Sequence, residues 1–163
     1  MSTDVRVAVV TVSARAAAGE REDVTGPALA GAVRSSGLEV GEQRVAPDDR
    51  AVLEDVIRAL AASHDLVLLA GGVGIGPEDV TPDAVEACCA RMIPGVGEVV
   101  RAASRDDIPA ASLWRACAGT RDGAVVVAMP GSPGAAEDAW DAMSSFIAMA
   151  VEQARGPGGG GTP

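Results

Sequence analysis

The segment from 65 to 84 constrains the fold more than any other part of the chain. It runs from Asp65 through an apolar stretch to Ala70, continues into a loop with glycines at 71, 72, 74 and 76, and ends at Thr81-Pro82. The apolar stretch is typical of a buried strand, and Thr-Pro commonly starts a helix. Glycines between them let backbone N–H groups approach an anion closely, next to a helix N-terminus. The segment therefore predicts an anion-binding loop, and Asp79 adds a carboxylate for a metal ion.

Similar strand and helix patterns alternate along the whole chain. The sequence predicts strands over 5–12, 38–46, 65–70 and 124–129, and helices over 25–37, 49–62, 81–92, 97–104 and 135–155, with no clear pattern over 106–122. Such alternation favours a three-layer α/β/α sandwich with a mostly parallel central sheet. The 163 residues suit one domain, which we place at 1–155. A Gly-rich tail over 156–163 is predicted to be disordered.

The charge of the chain limits its partners. The formal net charge is −10, and all 13 basic residues are arginines. An acidic chain argues against non-specific nucleic-acid binding, and without lysine a phosphate must be held by arginine, backbone amides or a metal ion. The sequence contains no membrane-span pattern and no secretory leader pattern, so we expect a cytoplasmic protein.

Cysteine and histidine contribute little to the predicted chemistry. The three cysteines, Cys88, Cys89 and Cys117, suit neither a disulfide framework nor a zinc site, and small buried side chains are the favoured interpretation. His64 is the single histidine and precedes an apolar strand. Histidine-based acid–base catalysis is therefore not expected.

Four loops follow predicted strands and are candidates for the ligand site. They span 13–15, 47–49, 71–79 and 130–134. Ligands of parallel α/β sheets bind outside the carboxyl ends of the strands. We therefore expect these loops to converge on one edge of the sheet.

Several separated motifs together resemble a known family. They are Gly71-Gly72-Val73-Gly74, the Asp79-Val80-Thr81-Pro82-Asp83-Ala84 run, Pro94-Gly95-Val96-Gly97-Glu98 and Met129-Pro130-Gly131-Ser132-Pro133. A Ser-x-Arg after the first strand and a Pro-Asp after the second agree with the same pattern. In this order they resemble the molybdenum-cofactor biosynthesis proteins of the MoaB/Mog type, which are molybdopterin-binding, adenylyltransferase-like domains.

The resemblance implies a reaction and its partners. It implies transfer of AMP from Mg-ATP to the terminal phosphate of molybdopterin, with release of pyrophosphate. It also implies a homo-trimer, with two stacked trimers forming a hexamer as an alternative, and handover of the product to a molybdenum insertase. A phosphate monoester is already anionic at neutral pH, so the reaction needs positioning and charge neutralisation more than a general base.

By matching positions, the resemblance implies that Asp48 and Asp79 are catalytic and hold Mg²⁺ near ATP. The residues alone leave other roles open. Asp48 precedes a predicted helix and would suit an N-cap, and Asp79 would be a favourable acid near the N-terminus of the next helix.

The implied substrate-binding set is wider, and its members have structural alternatives. The resemblance implies that Arg115 binds phosphate and that Ser132 donates its hydroxyl to substrate. The structural alternatives are a surface ion pair for Arg115, a helix cap for Ser132 and an exposed helix position for Glu98. Trp114 would stack on a base or fill the core. The whole set comprises Ser13, Arg15, Gly71, Gly72, Val73, Gly74, Thr81, Glu98, Arg115, Pro130, Gly131 and Ser132.

The chain also departs from the family pattern. Ala70 and Val73 stand where threonines are usual, and Glu78 stands where arginine is common. These departures favour a second hypothesis, a paralogue that binds molybdopterin without adenylylating it. A third is that the same loops hold another phosphate-containing ligand in an unrelated hydrolase or transferase.

Overall fold

The computed structural model describes residues 4–157, and in this range six strands form one sheet. The spatial order is β2-β1-β3-β6-β5-β4. Strands β2, β1, β3 and β6 are parallel to one another, and β5 and β4 each run antiparallel to their neighbours. The mostly parallel sheet predicted from the sequence is confirmed. The strands are β1 (Arg6–Val12), β2 (Glu39–Ala46), β3 (Leu66–Ala70), β4 (Arg91–Met92), β5 (Cys117–Arg121) and β6 (Ala124–Met129).

Helices cover both faces of the sheet. They are α1 (Ala14–Ala17), α2 (Thr25–Ser35), α3 (Arg50–Ala61), α4 (Thr81–Cys88), α5 (Pro94–Arg105) and α6 (Pro133–Arg155), with a 3₁₀ turn at Pro109–Leu113. Helices α2, α5 and α6 share one apolar core with the sheet, and α3 and α4 share the other. The expected three-layer sandwich is therefore confirmed.

The central strands are buried on both sides, which explains their continuous apolar sequence. In β3, Leu66 and Leu68 belong to the core under α2, α5 and α6, whereas Val67 and Leu69 belong to the core under α3 and α4. Burying a side chain of this size stabilises the fold by roughly 1.5 to 3 kcal/mol. Trp140 of α6 is fully buried, and its indole N–H donates to Ser36 Oγ at 2.9 Å.

The sequence prediction was wrong at the end of α4 and missed β4 and β5. The helix predicted over 81–92 ends at Cys88, because the N–H groups of Ala90 and Ile93 donate to carbonyl oxygens of β5 at 2.9 and 2.8 Å. Strands β5 and β6 are joined by Asp122 and Gly123, both with positive φ (48° and 87°). An Asp-Gly pair between two strands is a strong hairpin signal, and it marks the strand that the apolar pattern does not reveal.

Other boundaries differ because proline is tolerated in the first turn of a helix. Helix α5 begins at Pro94 and not near residue 97, and α6 begins at Pro133 and not at 135. None of the helices within residues 4–157 has the length and apolarity needed to cross a bilayer. Residues 158–163, most of the tail predicted to be disordered, lie outside the described range, and the domain limits of 1–155 stay a prediction.

Candidate functional site

The carboxyl ends of β1, β3 and β6 meet at one edge of the sheet, where a cavity of about 590 Å³ opens. Nine of the residues implied as site residues line it. Six other residues of the lining come from the segment between α1 and α2 and from the segment between α5 and β5. The nine are Ser13, Gly71, Gly72, Val73, Gly74, Asp79, Pro130, Gly131 and Ser132.

Gly71 brings the three strand ends into backbone contact. Its φ is +125°, and a Cβ at this position would overlap the carbonyl oxygen of Val12. On the other side, a Cβ on Gly131 would lie 2.8 Å from Gly71 Cα, and the Gly71 N–H donates to the Met129 carbonyl at 2.9 Å. A larger residue at 71 would separate these loops, so glycine is required there for close approach as well as for backbone conformation.

Gly72 makes room for two polar side chains. Its φ is +66°, and a Cβ on it would lie 2.5 Å from Thr81 Oγ1 and 3.0 Å from Asp48 Oδ1. The Thr81 side chain is fully buried, and its hydroxyl has no hydrogen-bond partner in the part of the chain that the structure describes. A buried hydroxyl without a partner is costly unless a ligand satisfies it. The distances from Gly72 place Thr81 and Asp48 directly behind the glycine loop, where the Thr81 hydroxyl is left without a partner among the described residues.

The glycine loop presents unused donors to the cavity. The N–H groups of Gly72, Val73 and Gly74 donate to no group within residues 4–157, whereas the N–H of Gly76 donates to Asp79 Oδ2 at 3.0 Å. Successive free amides near a helix N-terminus bind anions. The loop can therefore hold a phosphate through its backbone, without the hydroxyls that threonine would supply at 70 and 73.

Asp48 is free of the capping role that the sequence left open. The carboxylate of Asp49 caps α3 by accepting the N–H of Val52 at 3.1 Å. Asp48 turns the other way, and its Oδ2 accepts the N–H of Ala14 at 2.9 Å. It thus ties the end of β2 to the start of α1 while Oδ1 faces Gly72.

Asp79 lies at the opposite end of the glycine loop. Its Oδ2 accepts the Gly76 N–H, and a Cβ on Gly74 would lie 2.7 Å from the same oxygen. The carboxylates of Asp79 and Asp48 each keep one oxygen that accepts no hydrogen bond from residues 4–157. Within that range no three His, Cys, Asp or Glu side chains cluster as a metal site. A cation bound by this pair would take its remaining ligands from substrate and water.

Arg115 clamps the glycine loop to α4. Its backbone N–H donates to the Val73 carbonyl at 2.7 Å, and its guanidinium donates to the carbonyls of Gly74 and Asp79 and to the carboxylate of Asp83, 3.0 Å away. The hydrogen bond from Arg115 holds the pKa of Asp83 below its ordinary value. The guanidinium implied to bind phosphate is thus largely engaged by its own chain.

The remaining implied residues have simpler surroundings. Arg15 and Glu98 are exposed, on α1 and α5, and do not line the cavity. Ser13 Oγ accepts the Ala16 N–H at 3.1 Å, as the cap of α1. Ser132 precedes α6 without a side-chain capping bond, so the capping alternative is not realised for that hydroxyl.

Sequence reasoning missed the part of the cavity wall between α1 and α2. The position of this segment after the carboxyl end of β1 is the sequence signal that could have indicated it. Hydrogen bonds hold the segment in place. Asp23 accepts hydrogen bonds from Thr11 Oγ1 at 3.0 Å and from the Gly26 N–H at 2.9 Å, and Thr25 Oγ1 donates to the Gly131 carbonyl at 2.6 Å.

The cysteines lie away from the cavity. Cys88 is buried, whereas Cys89 and Cys117 are half-buried, and none is in a disulfide. Burial raises the pKa of Cys89 to about 12 and that of Cys117 to about 11. These thiols are therefore protonated at neutral pH and unsuited to nucleophilic catalysis.

Trp114 is the one aromatic residue of the described cavity wall, half-buried and also packed against the core under α3 and α4. We expect a ligand in the cavity to change its fluorescence by tens of per cent, because the indole is partly open to that space. Trp140→Phe would leave Trp114 as the single indole, since the chain has two tryptophans. Titration of this variant is the measurement. Trp114→Phe is the control, and an equal response from Trp140 alone would contradict the assignment.

Comparison with known proteins identifies a family and several relatives. The model of a family described as a probable molybdopterin binding domain matches residues 8–149. A molybdopterin adenylyltransferase of Helicobacter pylori is 30% identical over 152 residues, which is 91% of this chain and 86% of that protein. A molybdenum cofactor biosynthesis bifunctional protein of Synechococcus elongatus is 34% identical over 142 residues, 86% of this chain but 42% of that protein. The crystal structure of the molybdopterin biosynthesis enzyme MoaB of Thermus thermophilus superposes with a TM-score of 0.87 at 31% identity, covering 96% of this chain and 99% of that one.

Proposed function

The chain belongs to the molybdopterin-binding domain family, and from this premise we propose that it acts in molybdenum cofactor biosynthesis as a molybdopterin adenylyltransferase. The observation that carries the proposal is the pair Asp48 and Asp79, each with an unused oxygen, at the two ends of a loop of free backbone amides. Relatives named molybdopterin adenylyltransferase favour the enzyme over a module that only binds.

The proposed reaction balances without a general base. An oxygen of the molybdopterin phosphate attacks the α-phosphorus of ATP. The bond from that phosphorus to the oxygen bridging to the β-phosphorus breaks, and the oxygen leaves with pyrophosphate. The protein has to hold two anions in line and offset their charge. Amides of Gly72, Val73 and Gly74 supply donors for this, and the cavity of about 590 Å³ has room for a drug-sized ligand.

The carboxylate pair fits a magnesium ion. Mg²⁺ is usually bound through one or two carboxylates together with substrate phosphates and water, and Asp48 and Asp79 each offer one carboxylate oxygen that is unused within residues 4–157. Bound there, the ion would offset charge on the phosphates of ATP. The two carboxylates would hold it, and the backbone hydrogen bonds to Asp48 and Asp79 would fix their orientation.

The remaining features of the proposal rest on the resemblance of the sequence motifs. They are the use of ATP, a homo-trimeric or hexameric assembly, a cytoplasmic location and handover of the product to a molybdenum insertase. Arg15 and Glu98, both exposed outside the cavity lining, stay implied substrate contacts.

The direct test is to incubate the full chain with molybdopterin and Mg-ATP and to measure pyrophosphate release. We expect release that requires both substrates. Tight binding of molybdopterin without pyrophosphate would indicate the non-catalytic paralogue instead. Pyrophosphate or phosphate formed from a nucleotide without any pterin would indicate an unrelated hydrolase or transferase.

Neighbouring aspartates offer a matched test of the implied metal ligand. Asp48→Asn is expected to lower the rate of adenylyl transfer about tenfold, because it removes one carboxylate charge from beside the glycine loop. Asp49→Asn makes the same chemical change one residue away, where the side chain caps α3. An asparagine also caps helices well, so this control should keep both stability and activity. Equal losses in the two variants would contradict a catalytic role for Asp48.

A further inference from the structure

We propose that Arg21 binds a phosphate group of the ligand in the cavity. The inference rests on the proposed function, because it assumes a phosphate-bearing ligand there. Arg21 lies in the segment between α1 and α2 and lines the same cavity as the glycine loop and Ser132. It belongs to none of the motifs that carry the family resemblance.

The charged side chains of the cavity wall are mostly acidic, and Arg21 is the exception among the described residues. Three carboxylates line the wall, those of Glu22, Asp23 and Asp79, and Arg21 is the one basic residue in the described lining. Unless cations neutralise them, these acids repel a polyanion. A magnesium ion on Asp79 would offset part of that negative charge. Among the described residues of the wall, Arg21 is the side chain that can offset a further part of it.

The alternative arginine is already engaged. Arg115 donates to two carbonyls of the glycine-loop segment and to both oxygens of Asp83, which leaves it little capacity for a ligand. By contrast, Arg21 has no hydrogen-bond or ion-pair partner among residues 4–157, and its side chain is exposed. A free guanidinium is well suited to bidentate contact with a phosphate.

The backbone near Arg21 is nevertheless held in place. Two residues later, Asp23 accepts hydrogen bonds from β1 and from the first turn of α2. Thr25 then joins this segment to the loop after β6 through its hydrogen bond to the Gly131 carbonyl. Arg21 is thus an unpaired side chain on an anchored segment of the wall, and it can reach a ligand without a large rearrangement of the backbone.

The test compares Arg21→Gln with the wild-type chain by calorimetric titration, in separate arms with molybdopterin and with Mg-ATP. Loss of charge-assisted hydrogen bonds is expected to raise Kd about tenfold in at least one arm, and the arm affected identifies the phosphate. Arg21→Lys keeps the charge and should recover part of the affinity. The wild-type advantage should shrink as salt is raised.

Arg34→Gln is the matched control, because Arg34 is an exposed arginine near the other end of α2. Thermal unfolding of all variants checks that they fold. If Arg21→Gln and Arg34→Gln bind both ligands as tightly as the wild type, the role of Arg21 is overturned while the proposed function stands. Wild-type binding of Mg-ATP but not molybdopterin would contradict the proposed function and leave Arg21 to be judged on the Mg-ATP arm. If the wild type binds neither ligand, both proposals fail.

Discussion

Asp79→Asn is expected to lower the rate of adenylyl transfer by a factor of about 100 to 1,000, with the chain still folded. Removing one group that is aimed at developing charge in an active site typically has an effect of this size. Asp79 combines two features that point to such a role, since one oxygen is fixed by the Gly76 N–H and the other is unused within residues 4–157. Asparagine keeps an oxygen for the loop amide, so the loss should come from the missing charge. Initial rates at saturating substrates are the measurement.

Glu78→Gln is the control for that substitution, because it removes the same charge from the adjacent residue. Glu78 is exposed and does not line the cavity. Solvent screens an exposed charge strongly, so this variant should retain wild-type activity or gain slightly in affinity for the anionic substrates. Comparable losses in both variants would mean that general charge near the loop matters, and that the carboxylate of Asp79 has no special role.

Arg115→Gln is expected to lower kcat/KM about 100-fold, although the side chain need not touch substrate. Arg115 holds the carbonyls of Gly74 and Asp79 and thereby fixes both ends of the loop that presents Asp79. A misplacement of about 1 Å in a catalytic group can cost about 100-fold in rate. The free energy of unfolding should fall by about 1 to 2 kcal/mol, since the lost hydrogen bonds are only partly shielded from solvent. Steady-state kinetics and urea unfolding measure the two effects.

The pH dependence of stability gives an independent measure of this clamp. The hydrogen bond from Arg115 lowers the pKa of Asp83 in the folded chain. A depressed carboxyl pKa contributes stability that is present above the ordinary pKa and is lost as the pH falls through the folded-state value. The stability difference between wild type and Arg115→Gln should therefore narrow in acid. Arg58→Gln, which breaks exposed ion pairs with Glu54 and Asp55 on α3, should leave kcat/KM unchanged.

An unchanged kcat/KM in Arg115→Gln would contradict the clamp, as would a difference in stability that stays constant from neutral to acid pH. A rise in KM with unchanged kcat would instead support direct binding of substrate by Arg115, which is the role that its position in the sequence motif implies.

The elements that could be predicted from the sequence are those whose pattern follows directly from burial. Strand β3 is buried on both faces and is continuously apolar, and the same holds for β6. Strand β5 could not be found in this way, because Cys117–Arg121 mixes small and polar residues without alternation. The position of β5 depends on its pairing with β6. The N–H groups of Ala90 and Ile93 donate to β5, and helix α4 therefore ends before them. The Asp122-Gly123 pair is a local signal for the hairpin of β5 and β6, but the long-range hydrogen bonds that place β5 leave no apolar pattern in the sequence.

The site shows a similar division. The glycine loop, Asp48 and Asp79 could be predicted from sequence motifs, because each motif contains the residue type that the chemistry requires. Which groups a side chain contacts depends on the fold. No local pattern favours Asp49 over Asp48 as the cap of α3, indicates that Arg115 binds its own loop, or places Arg21 in the cavity wall.

The position of a radioactive label in the product shows whether this site transfers AMP. The full chain is incubated with molybdopterin, magnesium and ATP labelled at either the α- or the γ-phosphate, and the pterin product is isolated. Adenylyl transfer predicts that label from the α-position appears in the pterin product and that label from the γ-position appears only in pyrophosphate. Label from the γ-position in the pterin, or an unlabelled pterin in both incubations, would rule out adenylyl transfer by this chain.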